Sequence, residues 1–315
     1  MENLKPIPPY TGPMEDFPSS PELPEGAKTV TWKDDPACFI DFRFDVEYDK
    51  RDGETLTLQL LLPSQDMMEI PPAKKTPLIV YIPGSAWHRQ MVYITLPRMM
   101  RIAERGWAVA IVQYRPSEVK GFPAQIEDAK SAVRFMRKNA QEYNIDPDKI
   151  ALWGDSSGGH TAVMAAVTGD GLLDNGLYNE FSCKVNCVID WFGPTDVSLM
   201  GFYPSTMEHA TAESPEGFLL GQVDVMENIE LARKASPMHY ISAEKEIAPI
   251  LIFHGSRDEL VPFNQSCRLY DKLKACGKDV EFYKLEGAYH GYNGFNCTAA
   301  YDVVLEFASR HIPIN

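Results

Sequence analysis

The sequence predicts an α/β fold: a mostly parallel sheet covered by helices on both faces, opened by an antiparallel hairpin and carrying a small cap-like insertion. Three observations predict it. Two early segments alternate apolar and polar residues around an Asp-Gly turn. Short uninterrupted apolar runs follow. Segments of helical periodicity stand between those runs.

The alternating segments are residues 38–48 and 54–62, joined by Asp49-Lys50-Arg51-Asp52-Gly53, which reads as a β-hairpin. The continuous apolar runs are residues 77–83, 107–114, 149–153, 185–190 and 249–253, the pattern of strands buried on both faces of a parallel sheet. In residues 123–143, Ile126, Ala129, Val133, Met136, Ala140 and Tyr143 recur at steps of three and four, giving one apolar helix face. Asn144-Ile145-Asp146-Pro147 closes that segment, because the residue before proline avoids the helical region. Residues 264–276 and 298–311 are helical by the same test, with Ala300, Val303, Val304 and Phe307 on one face. The long irregular stretch 170–245 is expected to hold an insertion, about 195–225, above the carboxyl edge of the sheet, where such folds bind ligands. Residues 1–30, rich in proline from Pro6 to Pro24, are expected to form an extended arm, and 31–315 a single catalytic domain.

Bulk properties narrow the function. Forty-four acidic residues against 30 Lys and Arg give a formal net charge of −14, which argues against nucleic acid and against anionic membranes as partners. There is no apolar run of the roughly 18 residues that a membrane span needs, and no secretory h-region, so the expected location is cytoplasmic. The six cysteines are scattered. The closest pair, Cys183 and Cys187, has no second pair or histidine at ligand spacing, so no metal is expected.

The chemistry is concentrated at Gly154-Asp155-Ser156-Ser157-Gly158, a Gly-x-Ser-x-Gly. It follows the apolar run Ile150-Ala151-Leu152-Trp153 and precedes the helix-forming Thr161–Val167. On a sharp strand-to-helix turn Ser156 is presented above the sheet, and the flanking glycines allow the close backbone approach that such a turn requires. A serine hydroxyl needs a base to act as a nucleophile. In sheets with such an elbow the acid and then the histidine follow the serine along the chain. Asp258 lies in the loop after the run Pro249–Phe253, with Glu259 as its nearest substitute and Asp190 or Asp196 more remote. Downstream stand only His290 and His311. His290, in the glycine-flanked loop Glu286–Gly291, is the expected base, and Asp258 its orienter. His160 is expected to be a helix residue beneath the elbow, and His254 to pack at a strand end. The tetrahedral oxyanion needs N–H donors, expected from Ser157 and from Gly84 and Ser85 in the loop Pro83-Gly84-Ser85-Ala86-Trp87.

In combination these segments resemble a known family. The elbow through His160, Gln113-Tyr114-Arg115, Phe122-Pro123-Ala124 with Glu127-Asp128, Asp190–Asp196, Ser214-Pro215-Glu216 with Leu220-Gly221, Ala235-Ser236-Pro237 and His254–Asp258 are similar to the hormone-sensitive-lipase and BD-FAE branch of the α/β-hydrolases. The resemblance covers roughly residues 38–311. It implies the α/β-hydrolase fold, a serine esterase acting on short acyl groups, often acetyl or feruloyl groups on plant-derived sugars, and no cofactor. One departure stands out: where that family usually shows His-Gly-Gly-Gly-Trp, this chain has Pro83-Gly84-Ser85-Ala86-Trp87, which implies a tighter site. Trp87 and Tyr289, with Tyr292, are candidate substrate-binding residues, and Met200, Phe202 and Tyr203 candidates for setting acyl length.

The expected activity is therefore carboxylic ester hydrolysis through an acyl-enzyme on Ser156, with a small-molecule or oligosaccharide ester as substrate; homo-oligomer formation is left open. Amide cleavage by a peptidase or aryl-formamidase uses the same three residues and stands as the alternative. A non-catalytic binding protein on the same fold is the reading from another class.

Overall fold

The computed structural model describes residues 8–13, 16–21, 24–29, 39–64, 74–291 and 294–313. The chain divides into two units, Met1–Pro36 and Ala37–Asn315. Within the first, the Tyr10 and Phe17 rings meet edge to face at 5.3 Å, and the Tyr10 hydroxyl donates to the Pro13 carbonyl at 3.2 Å. Cys38 and Tyr292 lie outside the described residues.

The second unit is built on one eight-stranded sheet. Its strands are β1 (Phe39–Arg51), β2 (Glu54–Ser64), β3 (Thr76–Ile82), β4 (Ala108–Val112), β5 (Ile145–Asp155), β6 (Cys187–Trp191), β7 (Ile250–Gly255) and β8 (Val280–Leu285). The order across the sheet is β1-β2-β4-β3-β5-β6-β7-β8. β2 runs antiparallel to both β1 and β4, and every other pairing is parallel. This is the α/β-hydrolase fold with its antiparallel start. The β1–β2 hairpin closes at Asp52-Gly53, both at positive φ, the backbone that an Asp-Gly turn supplies at least cost.

β3, β4 and β6 are buried along their whole length because helices cover both faces. Even-numbered residues Leu78 and Val80 of β3 face one core, with helices α2 (Ala124–Lys138), α3 (Ser157–Thr168) and α6 (Asn264–Ala275). Odd-numbered Ile79 and Tyr81 face the other, with α1 (Leu96–Ala103) and α7 (Thr298–His311). Each fully buried aliphatic side chain in these layers contributes about 1.5–3 kcal/mol relative to exposure.

The alternation in β1 has a different cause. Phe39, Phe42 and Phe44 are exposed on this edge strand, where Phe42 stacks on Phe44 at 5.7 Å and Phe44 meets the Tyr93 ring edge to face at 6.2 Å. Helix α2 stops at Lys138, short of the predicted 143. The chain turns through Asn144, whose φ is 50°, directly into β5. Helix α1 was not anticipated: it is eight residues long, with only Met99, Ile102 and Ala103 buried.

Between β6 and β7 the chain makes only short helices, α4 (Pro215–Leu219) and α5 (Ile229–Lys234), with two short stretches of tighter helix at Val197–Phe202 and Pro237–Tyr240. They close over their own small core of Trp87, Val197, Leu219, Leu220, Val225 and Ala232. Ser214 caps α4, its hydroxyl accepting from Gly217 N–H at 3.0 Å. Among the described residues no helix is long and apolar enough to cross a membrane.

Candidate active site

β5 runs straight into α3, and Ser156 sits at the join with φ 54° and ψ −127°, a backbone conformation that side-chain-bearing residues rarely adopt. The turn is possible only because its neighbours lack side chains. A Cβ on Gly154 would stand 2.1 Å from the Gly158 carbonyl oxygen, and one on Gly158 2.0 Å from that of Ile82. Ser156 N–H donates to the Trp191 carbonyl at 2.8 Å, which ties the elbow to the neighbouring strand β6.

The loops after β7 and β8 bring the other two groups to this point. His290 Nε2 lies 2.9 Å from Ser156 Oγ, and its Nδ1 lies 2.8 Å from Asp258 Oδ2. A carboxylate only accepts, so Nδ1 carries the proton and Nε2 is left to accept from the serine hydroxyl. The edge of the ring is held by Phe192, with ring centroids 4.6 Å apart. The Asp258 side chain is buried, and Oδ1 accepts from the N–H groups of Leu260 at 3.0 Å and Val261 at 2.8 Å. Burial opposes its charge, but hydrogen bonds from His254 and His290 outweigh that and hold the carboxyl well below the usual carboxylate range.

The substitutes for Asp258 have other partners. Glu259 accepts from the backbone N–H of His290 at 3.1 Å, not from its ring. Asp196 bonds Ser198 at 2.6 Å and Arg268 at 3.2 Å. Asp190 is fully buried under the elbow and accepts from Gly193 N–H at 3.0 Å. His160 is fully buried behind Trp87. Its Nδ1 accepts from the Trp87 indole at 3.1 Å, its Nε2 donates to the Ala235 carbonyl at 2.6 Å, and burial pushes its pKa down to about 4, so it is neutral. His254 does more than pack: its Nε2 lies 3.1 Å from Asp258 Oδ2, while Nδ1 lies 2.7 Å from Ser266 Oγ.

The loop expected to supply oxyanion donors differs from expectation. Gly84 N–H donates to Asp155 Oδ1 at 2.9 Å, and Ser85 N–H donates to Ser157 Oγ at 2.9 Å. Both expected donors are thus consumed in fastening the loop to the elbow, a role that polar Asp155 and Ser157 create. Ala86 and Trp87 both have positive φ, 53° and 59°, and their N–H groups have no acceptor among the described residues. Ser157 N–H, at the first position of α3, has no intrahelical partner either. The open donors at the elbow are therefore those of Ser157 and Ala86, with Trp87 beyond.

Above Ser156 is a cleft of about 620 Å³. One flank is apolar, built from Pro194, Met200, Met207, Leu260 and Val261; the other carries Arg98, Arg101, Asn296 and Tyr301. Trp87 lines the cleft but is only 1% exposed, so it is a wall and not a movable clamp. Tyr289 is 39% exposed and not part of the lining. Of the three acyl-length candidates only Met200 lines the cleft; Phe202 and Tyr203 point to the exterior, at 61% and 41% exposure. Met207, Leu260, Arg98 and Arg101 were not foreseen, since isolated apolar and basic residues carry no signal until the fold gathers them.

The matching family model is that of BD-FAE, over residues 66–273. The chain belongs to the BD-FAE family. Among the proteins this BD-FAE chain is similar to is esterase LipQ of Mycobacterium tuberculosis, 29% identical over 231 residues, which are 71% of this chain and 52% of LipQ. The chain spans about half the length of the curated relatives it matches. Among solved structures, a truncated carbohydrate esterase from gut microbiota superposes with a TM-score of 0.74 at 27% identity, over 89% of this chain and 98% of that one. Esterase Est2 of Thermogutta terrifontis gives 0.64 at 27% identity, over 87% and 91%.

Among the described residues of this BD-FAE chain, one cluster of potential metal ligands lies elsewhere. Ligand atoms of Asp170, Asp174 and Cys183 come within 4.8 Å of one another. A guanidinium already fills the place of a cation there: Arg134 Nη2 lies 2.6 Å from Asp174 and 3.0 Å from Asp170. Burial pushes the Cys183 thiol up to about 12, so it is not a thiolate ligand at neutral pH.

Proposed function

We propose that this BD-FAE chain is a serine carboxylesterase that hydrolyses short-chain acyl esters, acetyl or aryl such as feruloyl, of a small-molecule or oligosaccharide alcohol, through an acyl-enzyme. The observation that carries the reading is the continuous hydrogen-bonded line Ser156–His290–Asp258, at 2.9 and 2.8 Å, beside open N–H donors on an apolar-flanked cleft.

In this reading Ser156 Oγ attacks the ester carbonyl carbon as its proton passes to His290 Nε2. The oxyanion that forms accepts from Ser157 and Ala86 N–H. Collapse expels the alcohol, which takes the proton back from His290. Water then attacks the acyl-enzyme, again with His290 as base, and releases the acid with Ser156 restored. Asp258 stays ionised throughout and stabilises the imidazolium, consistent with its lowered pKa. The relatives named as esterases support ester chemistry. Est2 structures carrying propionate and butyrate support a short acyl group, and the gut-microbiota carbohydrate esterase supports a sugar-derived alcohol. A reducing, cytosolic setting fits the free, buried thiols of Cys183 and Cys187.

Hydrolysis of p-nitrophenyl acetate and butyrate, with Ser156→Ala alongside, tests the reading. A loss of about a thousand-fold or more is expected, and so is labelling of Ser156 by a fluorophosphonate. Equal rates in the two proteins would overturn it.

A further inference from the structure

We infer that the flank of the cleft between α1 and α7 is an anion-binding subsite, and that the alcohol part of the substrate carries a carboxylate, as a hexuronate does. The inference deepens, and rests on, the esterase reading above.

Helix α1 places arginines at 98 and 101, one turn apart on one face, and the turn that follows it adds Arg105. Two of the three are committed within the protein. Arg105 pairs with Asp302 of α7 at 3.0 Å and lies outside the cleft. Arg98 reaches Asp155 Oδ2 at 3.4 Å and donates to the Tyr81 hydroxyl, with its guanidinium 5.6 Å from the Trp191 ring; its buried Nε has no acceptor. Arg101 is different. It lines the cleft, is exposed, lies 6.0 Å over the Tyr301 ring, and pairs with no carboxylate among the described residues. Beside it the Tyr301 hydroxyl donates to Asn296 Oδ1 at 2.9 Å, which orients that amide and leaves its NH2 group as a further donor on the cleft wall.

The chain carries a formal net charge of −14, so an unpaired guanidinium on the wall of its cleft is a local inversion of sign. A guanidinium fork and an adjacent amide donor match the two oxygens of a carboxylate. The opposite flank, with Met200, Met207, Leu260 and Val261, offers the acyl chain apolar contact and a carboxylate none of its needs. The leaving alcohol must lie beside His290, which returns its proton. Gly291, next in the chain to His290, shares the cleft wall with Asn296 and Tyr301, so the cationic flank continues from the alcohol side.

The test compares acetate release from an O-acetylated methyl glucuronoside and from the matching O-acetylated methyl glucoside, as the ratio of kcat/KM values. The wild type is expected to prefer the uronoside. Arg101→Gln is expected to lower that preference about ten-fold, Arg101→Lys, which keeps the charge but not the fork, to restore only part of it, and rising salt to weaken it. Arg105→Gln, a change outside the cleft, is expected to leave the preference in place. An equal rate on the two glycosides in the wild type, or an unchanged ratio in Arg101→Gln, would overturn the subsite. If Arg101→Gln instead changed selectivity between p-nitrophenyl hemisuccinate and p-nitrophenyl butyrate, the carboxylate would belong to the acyl part and the assignment would be overturned. The same preparations are assayed on p-nitrophenyl acetate: absence of that activity refutes the esterase reading itself, while its presence with no uronoside preference refutes only the subsite.

Discussion

His254 Nε2 lies 3.1 Å from the same Asp258 oxygen, Oδ2, that His290 Nδ1 approaches to 2.8 Å. The proposed catalytic acid is thus held by two histidines, and the inner one is itself oriented by Ser266 at 2.7 Å. A hydrogen bond from His254 withdraws charge from Asp258 and so weakens the acid's support for a protonated His290. Replacing His254 with asparagine is expected to lower kcat/KM about ten-fold and to move the acidic limb of the pH–rate profile to higher pH. A change in rate with no movement of that limb would mean that His254 serves packing alone.

The strain at Ser156 predicts a trade between activity and stability. A side chain at φ 54° costs about 1–2 kcal/mol that glycine does not. Ser156→Gly is expected to abolish ester hydrolysis yet raise the melting temperature by about 2–4 °C, read by differential scanning calorimetry.

Asp190 is expected to give a pH-dependent penalty. Burial raises its pKa to about 7, only partly offset by the Gly193 N–H, and its Oδ2 has no partner. The folded state therefore holds a proton that the unfolded state releases near pH 4, so this group's contribution falls as pH rises from about 4 to 7 and is level above that. Asp190→Asn mimics the neutral acid. Its stability relative to wild type is expected to rise across that window, by an amount on the order of 4 kcal/mol. Urea melts at pH 4.5 and 7.5 check this; a constant difference would show the carboxyl to be ionised.

A buried pair fastens the β6–β7 connection to the loop that carries Asp258. His209 Nδ1 lies 3.0 Å from both Glu216 oxygens, and its Nε2 lies 3.0 Å from the Leu260 carbonyl, so both ring nitrogens face acceptors. Burial opposes the imidazolium, but Glu216 and Leu260 outweigh it, and the His209 pKa is raised. The contribution is complete below the unfolded value of about 6.5 and fades as pH rises through the raised folded value. Glu216→Gln is expected to cost about 3–5 kcal/mol near pH 6, and less toward pH 9. Melting temperatures across that range check the trend.

Arg115 carries the heaviest ionic load away from the cleft. It bonds Asp128 at 2.8 Å, Glu127 at 2.9 Å and Asp52 of the first hairpin at 2.6 Å, and is itself buried. Arg115→Met leaves Asp128 buried without its counter-ion, and a loss of about 3–5 kcal/mol in urea unfolding is expected.

Much of this was legible along the chain because it depends on local pattern. Runs such as residues 77–83 mark doubly covered strands, glycines at 154 and 158 mark the elbow, and the order Ser156, Asp258, His290 follows from loops at the ends of β5, β7 and β8. Helix α1 escaped because its eight residues bury only three apolar side chains, too few turns for a periodic signal. Glu259, the substitute for Asp258 in the adjacent position, was separated from it only by which carboxylate faced the ring of His290 and which its backbone.

The sequence by itself determined the order of the strands and of the longer helices and the three residues that meet at the elbow, since apolar periodicity and glycine placement act over a few residues. Only the tertiary structure decided which N–H groups stay open. Gly84 and Ser85 are engaged by Asp155 and Ser157, more than 70 positions away in the chain. It also decided that the cleft has one apolar and one cationic flank, because α1 and the β6–β7 connection reach Ser156 from distant parts of the chain. Hydrogen-bond partners and pocket walls depend on groups brought together by packing across the sheet, and no local pattern encodes that meeting.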